Sequence, residues 1–349
     1  MEEESSSKRK LKSLLEEVGI TPSIRDIGKD MMEFDIPIYE NTFISGLTYA
    51  GFPITGKLPD SEMRKIVLDL SSLVLKISNR IIYYTLDHLQ KSLKSEKNNV
   101  AFAFIQRATI SHICNHKLSS EGITTERHGK QCSVVDEYKT MPLTRSVYEH
   151  LAMFYYLFDF SDNSHQQEVI WKSWLLGSKK NLLKGSLSEL KEKRIEAQKE
   201  IKDITESLRN NVLVRKCISN PKGQFECCLK SNSVFTIIEK NNQYVAKKLT
   251  YDKAWKYLYG ERIDLSLTYN FLSFHSHPTY IGLSQFNSQE SCIEFPLYDS
   301  CHFLSYLCSL FMKQFQIDKS ILTDSLTERE QGIYYLLSNE NNQSIKVKI

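Results

Sequence analysis

The chain has 349 residues, of which 41% are hydrophobic and 25% charged, and its formal net charge is +3. This composition is that of a globular protein long enough for one large domain or two ordinary ones. The small positive surplus does not by itself indicate nucleic-acid binding, which would need a local basic patch. Glycine and proline are scarce, at 13 and 8 residues, and this scarcity favours long helices over a turn-rich β fold.

The cysteines and the first residues bear on where the protein resides. The 8 cysteines form no C-x-x-C pair. The opening residues MEEESSSKRK have no apolar segment of the kind found in a secretory signal, and the apolar run at 151–158 is far shorter than a membrane span. We therefore expect a cytoplasmic protein with reduced thiols, with no membrane contact and no cofactor.

The order of predicted elements begins with a mixed, irregular segment over residues 1–60, in which prolines interrupt any long element. From residue 61 to residue 349 the spacing of apolar residues predicts a single helical domain, with its core within residues 142–310. A polar, irregular stretch is expected over residues 119–141. The predicted helices cover residues 61–95, 98–118, 143–160, 165–184, 251–259, 264–276 and 290–315.

Two capping boxes and one strand-like region complete the prediction. Ser186-x-x-Glu189 begins a helix with apolar residues at heptad-like spacing, which we expect to form one arm of an antiparallel pair. Residues 233–249 hold two apolar runs around a Glu-Lys-Asn-Asn turn and predict one β-hairpin. Thr327-x-x-Glu330 begins a final short helix. The predicted fold class is mainly α, a multi-helix bundle with one small β-hairpin.

The most informative segment is Arg145-Ser-Val-Tyr-Glu149-His150, which opens the apolar run LAMFYYLF. At about 100° per residue this run is apolar in nearly every direction, which indicates a helix deeply buried in the core. Ionisable side chains in such a helix are costly unless they are paired. Arg145 and Glu149 lie one turn apart on the same side, so we expect them to form an ion pair.

The spacing R-x-x-x-x-H occurs twice, as Arg145…His150 and as Arg107…His112. It resembles the motif of metal-independent ribonucleases of the HEPN superfamily, where it lies on a helix facing a dimer partner. An imidazole can move the proton of a ribose 2′-hydroxyl, and a guanidinium can hold the phosphate. Because residues i and i+5 lie about 140° apart, both groups serve one site only if several helices or two subunits contribute.

Each motif also has a structural interpretation. His112 lies in line with Phe104 and Ala108, which is the pattern of a core histidine with satisfied hydrogen bonds. For Arg145 and Glu149 the alternative is a buried ion pair that only fixes the packing of the helix.

A third motif is Ser273-Phe-His275-Ser-His277-Pro-Thr. Its two histidines resemble the start of the zinc site in the JAMM metal-dependent deubiquitinases, which a downstream aspartate completes. However, Asn287 stands where that pattern needs aspartate, the spacing is one residue short, and the flanking residues are predicted to be helical. Because a neutral amide is a poor zinc ligand, we expect no metal and rank a zinc hydrolase last.

Residues 142–178 and 250–286 together resemble a mainly bacterial family of all-helical proteins known only as a domain of unknown function. The shared pattern is a helix with Arg145 and Glu149 and an aromatic tail, a tryptophan-bearing helix, and a Leu-Ser-x-x-x-His segment containing Ser273 and His277. This resemblance covers roughly half of the chain. It implies an all-α domain in which these four residues converge on one polar pocket.

The leading functional prediction is a HEPN-like, metal-independent endoribonuclease, acting on RNA as a homodimer in the manner of a toxin or phage-defence effector. Arg145 would hold the phosphate, His150 or His277 would carry the proton, and Glu149 and Ser273 would orient them. The alternative is a non-enzymatic sensor that recruits a partner protein and contains a structural Arg–Glu pair. The secondary site candidates are Arg107, His112 and His275.

Overall fold

The structure is a computed structural model in which helices predominate, and this confirms the mainly α fold class. The described part of the chain comprises helices and three small antiparallel sheets. The described residues are 23–28, 31–35, 60–121, 123–127, 130–134, 140–184, 191–259, 294–338 and 345–348.

Most predicted helices are present with shifted ends. The first ends at His88, before its predicted end at residue 95, because a short 3-10 turn at Ser92–Lys94 and an extended Ser95 separate it from the second. The predicted helix at 264–276 lies outside the described residues. The helices are α1 (Asp60–His88), α2 (Glu96–Glu121), α3 (Thr140–Phe158), α4 (Ser164–Lys184), α5 (Lys191–Asn210), α6 (Val212–Ile218), α7 (Phe225–Lys230), α8 (Tyr251–Tyr259), α9 (Glu294–Phe315), α10 (Ser320–Thr323) and α11 (Glu328–Leu337).

Two of the three sheets are additions to the prediction. The strands are β1 (Ser23–Gly28), β2 (Met31–Asp35), β3 (Ile123–Arg127), β4 (Lys130–Val134), β5 (Phe235–Lys240), β6 (Gln243–Lys248) and β7 (Ile345–Lys348). Strand β2 pairs with both β1 and β7, and β3 pairs with β4. The pairing of β2 with β7 joins distant parts of the chain, so no local pattern could reveal it. The β3–β4 hairpin falls in the stretch predicted to be irregular, where polar residues hide the alternation typical of a half-buried strand.

The predicted hairpin is confirmed as β5 and β6, with Phe235 opposite Lys248 at the open end. Asn241 and Asn242 form its two-residue turn with φ of 52° and 56°. Asparagine tolerates this left-handed conformation, which matches the twist of the flanking strands. The capping box of Thr327 and Glu330 at the start of α11 is also confirmed. The capping box predicted at Ser186 lies outside the described residues.

Contacts between Cα atoms divide the chain into two compact units. The first comprises Met1–Leu151 and Arg262–Ile349, and the second comprises Ala152–Glu261. The sequence predicts one helical domain after residue 60 and does not anticipate this division. The boundary falls inside α3, where the helical pattern continues and no change of composition marks it.

The core of the first unit is formed by α1, α2 and α9. Apolar side chains from all three helices are fully shielded from solvent, and burial of this area provides the main stabilising free energy. Polar side chains lie among them, including His112 and Ser300. The apolar core of this unit includes Val74, Ile77, Ile81, Ala101, Ile105, Ala108, Phe303, Leu304, Leu307 and Phe311.

The second unit contains the predicted antiparallel helix pair, formed by α4 and α5. Lys179 near the end of α4 contacts Glu200 in the middle of α5, and Lys172 in the middle of α4 contacts Ser207 near the end of α5. The pair packs together with the β5–β6 hairpin around one apolar cluster. That cluster includes Val169, Leu176, Leu208, Val214, Phe225, Phe235, Ile237 and Ala246.

Gly177 in α4 lies directly against the backbone that leads into the hairpin. A Cβ atom at this position would lie 2.8 Å from the carbonyl oxygen of Asn232, which cannot move as freely as a side chain. Alanine normally stabilises a helix by about 1 kcal/mol relative to glycine. We expect Gly177→Ala instead to lower the free energy of unfolding by about 1–3 kcal/mol, because the close contact outweighs this gain. Urea denaturation measures the difference.

The matched control is Ser178→Ala, at the next and solvent-exposed position of the same helix. We expect it to change the free energy of unfolding by less than about 0.5 kcal/mol. A Gly177→Ala variant more stable than the wild type would show that α4 and Asn232 are not in this close contact.

Candidate functional site

The two R-x-x-x-x-H motifs lie on neighbouring antiparallel helices of the first unit. The ring of Phe104 on α2 packs edge-on against the ring of His150 on α3, with centroids 5.8 Å apart. Further along, the Ser111 and Ser146 hydroxyls are 3.1 Å apart. Residue numbers thus rise along α2 as they fall along α3. Because of this arrangement, residues of one motif can lie beside residues of the other.

The predicted ion pair on α3 is confirmed. Nε of Arg145 donates to Oε1 of Glu149 at 2.8 Å, and the two side chains are 22% and 29% exposed. The expectation of a deeply buried helix is therefore wrong for this part of α3. The apolar residues that suggested all-round burial lie in its second half, and even there Met153, Tyr155 and Phe158 are half-buried. Since water screens a partly exposed pair, it carries no large desolvation cost.

His150 is half-buried and its ring is held in one orientation. Its Nδ1–H donates to the carbonyl oxygen of Ser146 at 2.6 Å, so in the neutral ring Nε2 carries the lone pair. Desolvation lowers the pKa of His150, and the positive charge of Arg107 lowers it further, against the opposing effects of the Ser146 carbonyl and Glu149. The lowered pKa favours the neutral imidazole, which is suited to accept a proton.

Arg107 lies on α2 one turn beyond Phe104 and is exposed. In the part of the chain that the structure describes, no carboxylate forms an ion pair with Arg107. Its charge nevertheless acts on His150 of the other motif. The two motifs therefore bring together an exposed guanidinium and a neutral imidazole from different helices.

His112 of the first motif is a core residue. It is fully buried, with Nε2 2.9 Å from the Ser71 hydroxyl and Nδ1 2.6 Å from the Ser300 hydroxyl. Desolvation, with a smaller effect from His116, lowers its pKa to about 3. This geometry agrees with the structural interpretation of His112. A group without access to solvent or substrate cannot exchange a proton with RNA.

The hydrogen bonds of His112 belong to a longer series of hydrogen bonds between serine and histidine side chains, which the sequence did not predict. The Ser71 hydroxyl also lies 2.9 Å from Nδ1 of the half-buried His116, so a serine–histidine chain of hydrogen bonds runs through Ser300, His112, Ser71 and His116. It joins α9, α2 and α1. The i, i+4 spacing of the two histidines on α2 was the one local signal for it. Because unpaired buried polar groups are costly, this chain fixes the relative register of the three helices.

The remaining predicted site residues lie in a segment outside the described residues. Ser273, His275, His277 and Asn287 all belong to it, so the convergence of Ser273 and His277 with Arg145 stays a prediction. Over the described ranges, no group of three or more histidine, cysteine, aspartate or glutamate side chains is arranged to hold a metal ion. Nor does any helix within those ranges have the length and apolar character needed to cross a membrane.

Comparison of the chain with protein-family models gave no match, and comparisons with curated proteins and with solved structures gave none either. The functional assignment therefore depends on the residues and geometry of this chain alone.

Proposed function

We propose that this protein is a HEPN-like, metal-independent ribonuclease in which His150 moves the proton. The observation that carries the proposal is the state of His150. The ring is half-buried, and the Ser146 carbonyl accepts its Nδ1–H, which leaves the basic lone pair of the neutral ring on Nε2. Burial lowers the pKa of His150, which favours this neutral form. Cationic side chains lie on the same pair of helices, and RNA is a polyanion.

The reaction requires one base and one cation. Nε2 of His150 takes the proton of a ribose 2′-hydroxyl, and the 2′-oxygen forms a bond to the adjacent phosphorus. The bond from phosphorus to the 5′-oxygen of the next nucleotide breaks, that oxygen takes a proton from water, and His150 afterwards releases its own proton to the solvent. A guanidinium stabilises the negative charge on the phosphate oxygens. The products are a 2′,3′-cyclic phosphate and a 5′-hydroxyl.

The proposal also includes the biological setting predicted from the sequence. A toxin or phage-defence effector in the cytoplasm would act on cellular or phage RNA, and a site shared between subunits would make the protein a homodimer. Ser273 and His277 would complete the pocket. Light scattering on the purified protein tests the homodimer, since a strict monomer at working concentration contradicts it.

The direct test of the activity is incubation of purified protein with total RNA in EDTA. We expect cleavage that persists in EDTA and follows the protein peak through gel filtration, which distinguishes it from a contaminating nuclease. Intact RNA after incubation with the folded dimer would contradict the proposal. Cleavage that appears only when a divalent metal is added would contradict its metal independence.

The lowered pKa of His150 gives the activity a defined pH dependence. A base must be unprotonated, so the cleavage rate rises with pH through the pKa of His150 and then levels off. Because burial and Arg107 lower this pKa, we expect the midpoint of the acid limb of kcat/KM to lie below 6.5. A midpoint above 6.5 in the free enzyme would contradict the role of His150 as the base.

One observation favours the second candidate function, a sensor or interaction protein. Arg145 already pairs with Glu149 at 2.8 Å, which is what a structural pair would do. If this function is correct, the wild-type protein leaves RNA intact, and the only effect of Arg145→Ala is a lower free energy of unfolding.

A further inference from the structure

The phosphate-binding group of the proposed site need not come from the same motif as the histidine. Residues five apart on one helix point about 140° from each other, so Arg145 and His150 project in different directions from α3. Arg145 is also held by Glu149, which compensates its charge. An arginine in this state is a weak candidate for binding a phosphate beside His150.

Arg107 is a better candidate than Arg145 for binding a phosphate beside His150. It follows Phe104, which packs on the His150 ring, and precedes Ser111, which contacts Ser146. Along α2 these three residues lie within about 60° of one another, with Arg107 toward the solvent side. Its guanidinium is exposed and has no carboxylate partner among the described residues.

We propose that Arg107 and His150 form a composite phosphate subsite across the α2–α3 contact, with Arg107 binding the phosphate of the RNA and His150 facing it. The proposal of this subsite rests on the proposed ribonuclease function. The group that the subsite recognises is the phosphodiester of the RNA. Arg145 becomes a positioning residue, which through its pair with Glu149 stabilises the first half of α3 as a helix. The guanidinium donates to two phosphate oxygens, an arrangement that favours arginine over lysine.

The electrostatics of His150 supply a readout that does not depend on cleavage. The charge of Arg107 lowers the pKa of His150 in the free protein. A bound phosphate would introduce negative charge beside the ring and raise that pKa. Removing Arg107 would also raise the pKa in the free protein, and it would weaken the response to phosphate.

The experiment is an NMR titration of the His150 ring in the full chain, with and without inorganic phosphate. The variants are Arg107→Ala, Arg107→Lys, Arg145→Ala and Lys117→Ala. Lys117 is exposed on α2 more than two turns from Arg107, so its removal changes the net charge equally and serves as the matched control.

We expect phosphate to raise the pKa of His150 in the wild type and in Lys117→Ala. In Arg107→Ala the apparent affinity for phosphate should fall about tenfold or more, and Arg107→Lys should recover part of it. Because Arg107 is exposed, its variants should remain folded, which the dispersion of the same spectra reports.

Two results would overturn the subsite. One is an Arg107→Ala protein that binds phosphate as the wild type does while Arg145→Ala does not. The other is a wild-type His150 that does not respond to phosphate at all. Phosphate binding through Arg107 together with intact RNA would instead contradict the ribonuclease function and leave the subsite standing.

Discussion

Replacing His150 with alanine is expected to slow RNA cleavage at least about 100-fold, the lower end of the usual contribution of a general base. The variant removes the Nε2 lone pair and leaves the Arg145–Glu149 pair intact. His112 cannot substitute, since both of its nitrogens are engaged in the core. The measurement is the initial rate of cleavage of a short fluorescent RNA in EDTA.

Two further variants separate chemistry from packing. His150→Asn keeps a donor that can reach the Ser146 carbonyl but provides no base, so it should be folded and as slow as the alanine variant. The matched control is His165→Ala, on the exposed side of α4 in the second unit, which should cleave RNA at the wild-type rate. A folded His150→Asn protein with full activity would exclude His150 as the proton carrier.

The second large effect is a loss of stability in mild acid, caused by two buried histidines of the first unit. His112 lies in the serine–histidine chain, and His302 on α9 donates from Nδ1 to the carbonyl of Leu337 at the end of α11. Desolvation lowers the pKa of His112 to about 3 and that of His302 to about 4, from an ordinary value of 6.5. Below pH 6.5 the unfolded chain therefore binds two protons that the folded protein excludes.

The direction in which stability changes with pH follows from these pKa values. The contribution of the neutral histidines to stability is complete above pH 6.5, and it is lost progressively as the pH falls to about 4 for His302 and about 3 for His112. At pH 5.5 the two histidines by themselves should lower the free energy of unfolding by about 2.5 kcal/mol relative to neutral pH. Asp299 on α9, whose pKa burial raises to about 7, binds a proton in the folded protein over the same range and offsets part of this loss. Urea denaturation at a series of pH values measures this dependence directly.

A single substitution isolates one of the two groups. His302→Gln retains an uncharged donor for the Leu337 carbonyl but cannot titrate, so the pH dependence attributed to the pair should fall by about half. His165→Gln, at an exposed histidine, should leave the dependence unchanged. A His302→Gln protein whose free energy of unfolding depends on pH as that of the wild type does would show that His302 is not buried in the neutral state.

The helices and the hairpin could be predicted from the sequence because their signals are local. Apolar spacing identified α1 to α4, and the pair of asparagines identified the turn of the β5–β6 hairpin. The pairing of β2 with β7 could not be found in this way, because these two strands are distant in the chain and their pairing leaves no local pattern. The division into two units also left no signal in the sequence, because the helical pattern of α3 continues across the boundary without interruption.

The candidate site was predicted in part. The Arg145–Glu149 pair followed from the geometry of a single helix and is confirmed. Its exposure could not be deduced, because it depends on which neighbouring elements cover α3. The proximity of Arg107 to His150 depends on the antiparallel packing of α2 on α3, so no spacing within one motif could reveal it. Ser71 and Ser300 were missed because a serine becomes informative only when its hydrogen-bond partners are known.

The most direct measurement of the central claim is the chemistry of the RNA ends that wild-type protein produces in EDTA. Proton transfer from the 2′-hydroxyl to His150 predicts fragments with a 2′,3′-cyclic phosphate at one end and a 5′-hydroxyl at the other. These ends can be assigned by mass spectrometry and by labelling with a kinase that needs a free 5′-hydroxyl. Fragments with a 3′-hydroxyl and a 5′-phosphate would contradict the account, as would RNA that remains intact.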